Sequence, residues 1–480
     1  MLADFAHLPA GRSGHARSRN PCWGALLGIL VALPLSAWFW GFTVDDALIT
    51  ARVATHCAQG LGPRFNAHGP VTDAVTPLGY ASLLSLFGAR DVLHTFLLAK
   101  WLGVIAWLLA AGVLGALVAR AGERAQRFSP LAIVAVSAPL AAWAASGMET
   151  GFVTLLATLG LLGGGLGALS LGVAAALRPE LVPFAWLLVL GQAYAARIGW
   201  AQAARRFSCA VLPVLLVALL REHYFGRPVP LSFYAKPSDF EHGLRYALGA
   251  FAFSGLPWLL LGTPGELSRL PRPARPLFIA LAVHGAALVL CGGDWMALYR
   301  LAVPVLPCAA LAAAYLAERA RPGLLVLRLA FALAFALLLA VGLGHDTRRV
   351  GADRARLISD AHRVLADDAR IASLDVGWVG AASDAEVIDL AGVTDPQVAL
   401  FPGGHTSKRI PSAWLFARRP TAIVLLLARG TAPESPFEES RFAHAVEQRV
   451  ARVVATEFQV RTTLNLAEQT YLVLEPRPSR

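Results

Sequence analysis

Charged residues are scarce in this sequence, making up 15% of its 480 residues, against roughly 25% in an ordinary soluble domain. Hydrophobic residues make up 56%, which excludes a large soluble enzyme and leaves a polytopic membrane protein. Acids are scarcer than bases, with 31 Asp and Glu to 42 Lys and Arg. In a soluble chain such an excess would suggest nucleic acid. Here most arginines flank apolar runs, where they act as a topology signal, and no nucleic-acid partner is expected. Cysteine is sparse as well. Cys22, Cys57, Cys209, Cys291 and Cys308 are scattered among apolar runs with no CxxC spacing. The usual zinc and haem patterns are absent, and free cysteines of this kind pack as small hydrophobes. No internal repeat or long low-complexity segment is present.

What the chain has in quantity is apolar runs. A membrane span needs about 20 mostly apolar residues. Eleven candidates fall at 22–42, 91–119, 130–146, 150–163, 165–177, 181–196, 207–224, 244–262, 276–292, 299–317 and 323–344. The fourth and fifth are short and separated only by a glycine run near Gly163–Gly165, so one broken helix is an alternative there. Arg12, Arg17 and Arg19 before the first run imitate a signal peptide. That run is long enough to span and no small-residue cleavage site follows, so it is expected to be retained.

Charge sets the expected orientation. With a cytoplasmic N-terminus, every second loop is short and arginine-rich: Arg120, Arg124 and Arg127, then Arg197, Arg205 and Arg206, then Arg269, Arg272 and Arg275, then Arg319 and Arg321. This is the positive-inside pattern, and it holds only if 150–177 counts as two crossings. The remaining loops then share the outer side and carry the unusual polar sequence: "VDDALITAR", "SGMETG", "RPE", "PLSFYAKPS" and "GGDWMALYR". Acids, bases and aromatics gathered at one membrane face from distant loops suggest a shared site. "HGPVTDAVTPLGY", His68 to Tyr80, leads into an expected half-buried helix over 77–88. After Gly344 the composition changes, and residues 345–480 alternate charged helical stretches with short apolar runs, which reads as a small α/β domain. The expected fold is therefore an α-helical polytopic membrane domain, 1–344, followed by an extracytoplasmic α/β domain, 345–480.

The pair Asp45–Asp46 stands at the lip of the first span. Adjacent helical residues project about 100° apart, so the two carboxylates point differently. In a helix over "DDALITARVATH", Asp45 shares a face with Arg52 at spacing i, i+7, and Asp46 shares one with Thr50 and Val53. A carboxylate against a low-dielectric wall has its pKa raised toward the range of a general base. The alternative makes Asp45 a helix N-cap. It leaves Asp46 unexplained.

In order along the chain, "DDALITARVATHCAQGLGPRFN", "SGMETGF", "LRPEL", "VPLSFYAKPS", "GGDWMALYRLAVPVLP" and "LDVGWVG…VIDLAGVTDP" resemble the polytopic GT-C glycosyltransferases. The likeness is to the bacterial arabinofuranosyltransferase-like group and covers roughly residues 22–400. It implies a polyprenyl-phosphate sugar donor entering from the outer leaflet of the bacterial inner membrane. The sugar, with arabinofuranose favoured, would pass to an envelope glycan, lipid or protein acceptor. Under it Asp45 and Asp46 are the catalytic pair, and Arg52, Glu149, Glu180, Tyr234, Asp294 and Trp295 line the substrate site.

A leaving phosphate needs cations around it, and the outer loops supply Arg178, Lys236 and Arg300. Snorkelling from a helix end is the alternative for each. Glu149 and Glu180 serve equally as partners for Arg178 or as helix-end charges. Tyr234 and Trp295 suit either sugar stacking or an aromatic belt, and the two glycines before Asp294 permit close backbone approach. No cofactor is required, although Asp45 and Asp46 are compatible with a divalent cation, Mg2+ or Mn2+. Two other classes stay open, a lipid or solute transporter or flippase and a non-catalytic membrane assembly protein. A transporter would bind at the bilayer midplane, yet the interiors of these spans hold little charge, His284 being notable among their ionisable residues.

Overall fold

The computed structural model describes residues 21–253, 264–429, 437–466 and 469–478. The basic start and the end of the expected 244–262 span lie outside these residues. Ten helices lead in chain order to the region of interest: α1 (Pro21–Trp38), α2 (Asp45–Ala58), α3 (Tyr80–Leu86), α4 (Val92–Ala121), α5 (Glu123–Ala145), α6 (Thr150–Gly160), α7 (Gly164–Leu177), α8 (Val182–Ala195), α9 (Trp200–Phe225) and α10 (Leu231–Ala235). The expected helix over 77–88 is α3.

Among the described residues, five helices are long and apolar enough to cross a bilayer: α1, α4, α9, Ala297–Ala317 and the helix beginning at Pro322. Eleven full spans are not seen. The reason is length. At about 1.5 Å per residue, α6 with 11 residues and α7 with 14 fall short of the roughly 30 Å hydrocarbon thickness. They pack on each other as a hairpin across Leu161–Gly163. Apolar side chains stay exposed at helical spacing on α4 (Leu97, Trp101, Ile105, Leu109) and α9 (Leu212, Leu215, Leu216, Leu219). Such stripes are costly in water and suit lipid.

α1 packs on α4 through small residues. A Cβ added at Gly24 would stand 2.5 Å from the Gly115 carbonyl oxygen, and one at Gly28 would stand 2.1 Å from that of Ala111. Residues four apart with no side chain let two backbones touch, which is how helices associate where the hydrophobic effect gives no help.

The helix Pro322–Leu338 continues through a short wide turn, Leu339–Leu343, into Gly344–Leu365, which delivers the chain to the C-terminal domain. That domain is a five-stranded mixed sheet in the order β2-β1-β3-β5-β4, with β1 (Arg370–Ser373), β2 (Glu386–Asp389), β3 (Ala422–Leu426), β4 (Phe458–Asn465) and β5 (Thr470–Pro476). β1 runs parallel to β2 and β3, while β5 is antiparallel to β3 and β4. Successive side chains of β3 point to opposite faces. Val424 and Leu426 join a core with Trp378 and with Leu48, Ile49 and Val53 of α2. Ile423 and Leu425 join a second core with Val446 and Val450. One face of the sheet therefore shares a core with α2, which packs against the domain through the helix Val376–Ala382.

Candidate functional site

Four segments converge where the helical bundle meets the C-terminal domain: the start of α2, the turn after α10, the stretch Gly292–Arg300, and the loop Phe401–Lys408. α2 begins after Val44, whose backbone is extended (φ −133°, ψ 158°), with no side-chain cap. Asp45 and Asp46 therefore occupy the first turn, where the helix dipole favours carboxylates, and Asp45 is not the N-cap.

Their side chains diverge as helical geometry requires. Asp45 reaches the C-terminal domain, where Oδ2 accepts from the Gly377 amide at 2.7 Å and Oδ1 from the Trp378 amide at 2.8 Å. Both amides open the helix Val376–Ala382. Arg52, on the same face, is buried and spends its guanidinium on four carbonyls. Nε donates to Phe65 at 2.9 Å, Nη1 to Gly380 and to Ser383 at 2.9 Å, and Nη2 to Ala385 at 2.9 Å. Asn66 completes the joint, exchanging hydrogen bonds of 2.9 Å with the amide and carbonyl of Val387. Arg52, expected among the substrate groups, is thus placed in the joint between the two parts of the chain.

Burial, with Asp375 and Asp46 nearby, pushes Asp45 up to about 7, against the pull of Arg354 and the Gly377 amide. The docked carboxyl binds its proton more tightly than the free one. Its contribution to docking is therefore largest at low pH and is lost as pH rises through about 7. Asp45→Asn does not titrate and is expected to flatten that slope in thermal unfolding followed from about pH 5 to pH 8. An unchanged slope would place the titration in another group.

Asp46 turns the other way. Its Oδ2 lies 3.8 Å from Arg300 Nη1, its side chain is 33% exposed, and its carboxylate receives no hydrogen bond among the described residues. Arg300 is buried, with Nη2 2.8 Å from Asp294 Oδ2 and the guanidinium 5.7 Å above the Trp143 ring. The backbone that delivers it is strained: Leu298 (φ 58°) and Tyr299 (φ 49°) are left-handed without being glycine. Such strain costs about 1–3 kcal/mol per residue and persists only where the surroundings impose it. Three helices do so here. Trp143 Nε1 donates to the Leu298 carbonyl at 3.2 Å, the Tyr246 hydroxyl accepts from the Leu301 amide at 3.0 Å, and His284 Nε2 meets the Leu301 carbonyl at 3.0 Å. Upstream, Gly292 (φ 80°) and Gly293 (φ 69°) make the close approach expected of them. A Cβ on Gly293 would stand 2.6 Å from that of Tyr246.

Asp294 accepts from the Trp295 amide at 2.9 Å. Burial raises its pKa, but Arg300, then Lys236 and Arg178, pull harder and hold the carboxyl below the usual carboxylate range. Arg178 is buried with Nε 3.1 Å from Glu149 and 3.4 Å from Glu180. Of the two readings of these acids, the structure has them as partners of Arg178. Tyr234 lies beneath the Arg227 guanidinium, 4.8 Å from its ring centre. Lys236 follows α10, its amide donating to the Ser232 carbonyl, and its side chain makes no hydrogen bond or ion pair among the described residues.

The loop Phe401–Lys408 brings a residue that motif reading missed. Lys408 is buried, and its Nζ donates to the carbonyls of Ala399 at 2.7 Å and Phe401 at 3.0 Å. Arg449 Nη1 adds a bond of 2.7 Å to the Ser407 carbonyl. So fastened, His405 lies 6.4 Å from the Trp295 ring and within electrostatic reach of Lys236, Asp46 and Asp294. Burial and the Lys236 charge push His405 down to about 4, although Asp46 and Asp294 pull it up. A lone histidine after two glycines carries no periodicity or spacing that would single it out.

The structure thus brings together Asp46, Lys236, Asp294, Trp295, Arg300 and His405, with Arg178, Glu149 and Glu180 in the layer behind. Asp45 and Arg52 face the joint instead. Among the described residues, no three His, Cys, Asp or Glu side chains gather in a metal-binding arrangement. No curated protein and no solved structure matches the chain. A family model described as "Domain of unknown function (DUF8728)" matches residues 347–474, the C-terminal domain that supplies His405.

Proposed function

We propose that the chain is an integral-membrane glycosyltransferase of the GT-C type, moving a sugar from a polyprenyl-phosphate donor to an envelope acceptor on the outer side of the inner membrane. The observation that carries this reading is Asp46, a part-exposed carboxylate with no hydrogen-bond donor among the described residues, standing beside Arg300 with the Lys236 ammonium nearby. Asp46 takes the proton of the acceptor hydroxyl as its oxygen bonds to the anomeric carbon. The bond from that carbon to the phosphate oxygen breaks, and the phosphate leaves with the electron pair. Lys236 and Arg300 offset the charge it gathers, the kind of stabilisation that counts most in a desolvated site. Asp294 holds the Arg300 fork in place. Arabinofuranose is the favoured sugar.

Mass spectrometry of envelope glycans and lipids from cells with and without the protein tests the reading. A glycan shortened by one kind of sugar, restored by the gene, is the expected result. An unchanged envelope together with altered distribution of a lipid or solute would favour a transporter instead. Lys236→Ala is expected to weaken donor binding by about 1–3 kcal/mol, the range of charge-assisted hydrogen bonds. Titration with a non-hydrolysable polyprenyl-phosphate analogue reads this directly, and unchanged affinity would leave Lys236 as a helix-end anchor.

A further inference from the structure

Trp295 is 68% exposed, yet it is fixed in place. One face stacks on His242, with ring centres 4.0 Å apart and planes 20° from parallel. His242 is itself held by its Nδ1 to the Gly292 carbonyl, 2.7 Å away. The Trp295 amide is tied to Asp294, and His405 approaches the ring from the C-terminal domain at 6.4 Å, tilted by 54°. A tryptophan that merely anchors a chain at the bilayer interface needs no such support and has lipid headgroups for neighbours. This one has a loop of the C-terminal domain beside it, and the His405 of that loop lies within electrostatic reach of Lys236, Asp46 and Asp294. A rigid aromatic ring with polar groups around its rim matches the two-sided chemistry of a sugar ring, whose C–H face is apolar and whose edge carries hydroxyls.

We infer that the seam between the bundle and the C-terminal domain holds a carbohydrate subsite, with Trp295 backed by His242 as the stacking platform and His405 as the acceptor of a sugar hydroxyl. The inference rests on the proposed transferase reading and extends it by assigning the C-terminal domain a share in acceptor recognition. Burial keeps His405 neutral near pH 7, and a neutral imidazole offers a free ring nitrogen to a hydroxyl.

The test is direct binding rather than turnover. Full-length protein in lipid nanodiscs is titrated with methyl glycosides in furanose and pyranose forms, followed by saturation-transfer NMR. Wild-type protein is expected to bind at least one of them. Trp295→Ala should weaken that binding about tenfold and Trp295→Phe, which keeps an aromatic face, about threefold or less. His405→Ala should weaken it several-fold for a glycoside with its hydroxyls intact and leave the fully O-methylated form unaffected. Failure of the wild type to bind any glycoside, or equal binding by Trp295→Ala, overturns the subsite. Glycoside binding that depends on Trp295 in a protein whose Asp46→Asn variant still transfers sugar would instead sink the assignment of Asp46. The two failures are therefore separable.

Discussion

Asp46→Asn is expected to lose at least about 100-fold in sugar transfer, the usual contribution of a general base, while the protein accumulates in membranes at normal levels. The side chain keeps its volume and is part-exposed, so little packing is lost. What disappears is the carboxylate that takes the acceptor proton. Asp45→Asn is the control, because Asp45 serves the joint and not the cleft. Its expected effect is on docking and pH dependence, with transfer reduced only as far as the C-terminal domain is displaced. A radiolabelled transfer assay on both purified variants decides the matter. Normal transfer by Asp46→Asn, or equal loss in both variants with the domain still docked, would remove Asp46 from its role.

Arg52→Ala should release the C-terminal domain from α2. Four backbone carbonyls lose the donor they share, and each is left in a buried place where an unmade hydrogen bond is expensive. A loss of about 3–5 kcal/mol is expected, allowing for partial rescue by water. Arg52→Lys keeps the charge but not the planar fork, so it cannot reach four acceptors at once and should fall between wild type and alanine. Limited proteolysis at Gly344–Leu365, together with the midpoint of thermal unfolding, reads the effect. If Arg52→Ala resists protease as well as wild type does, the hydrophobic core shared with Leu48, Ile49 and Val53 holds the domain without it.

Helical periodicity made the face shared by Asp45 and Arg52 legible, along with the divergence of Asp46. What the face meets was not legible, because its partners are amides and carbonyls some 330 residues away, and main-chain groups leave no mark in a sequence. Hydropathy found the apolar segments, of which five form helices long enough to cross among the described residues. It registers that 150–177 is apolar and not that the chain turns at Leu161–Gly163 into two helices too short to cross. The glycines before Asp294 were readable because close approach admits few other residues. The left-handed pair Leu298 and Tyr299 was not, since neither residue type advertises such a backbone. His405 was missed for a related reason: its position is set by Lys408 and Arg449, surface-type residues whose burial or bonding no local pattern reveals.

The way the C-terminal domain is docked bears on how the two parts of the chain can change over time. Asp45, Arg52 and Asn66 all grip main-chain atoms, at Gly377, Trp378, Gly380, Ser383, Ala385 and Val387. A polar contact that reads peptide groups is indifferent to most side chains those peptides carry, provided the local backbone path is kept. Gly377 and Gly380 are exceptions, because a Cβ there would stand 2.2 Å from the Asp45 carbonyl oxygen and 2.9 Å from Arg52 Nη1, and Trp378, Ala385 and Val387 are held by the core they share with α2. Drift at this boundary should therefore be slow on both sides, with Asp45, Arg52 and Asn66 changing together with the two glycines or not at all.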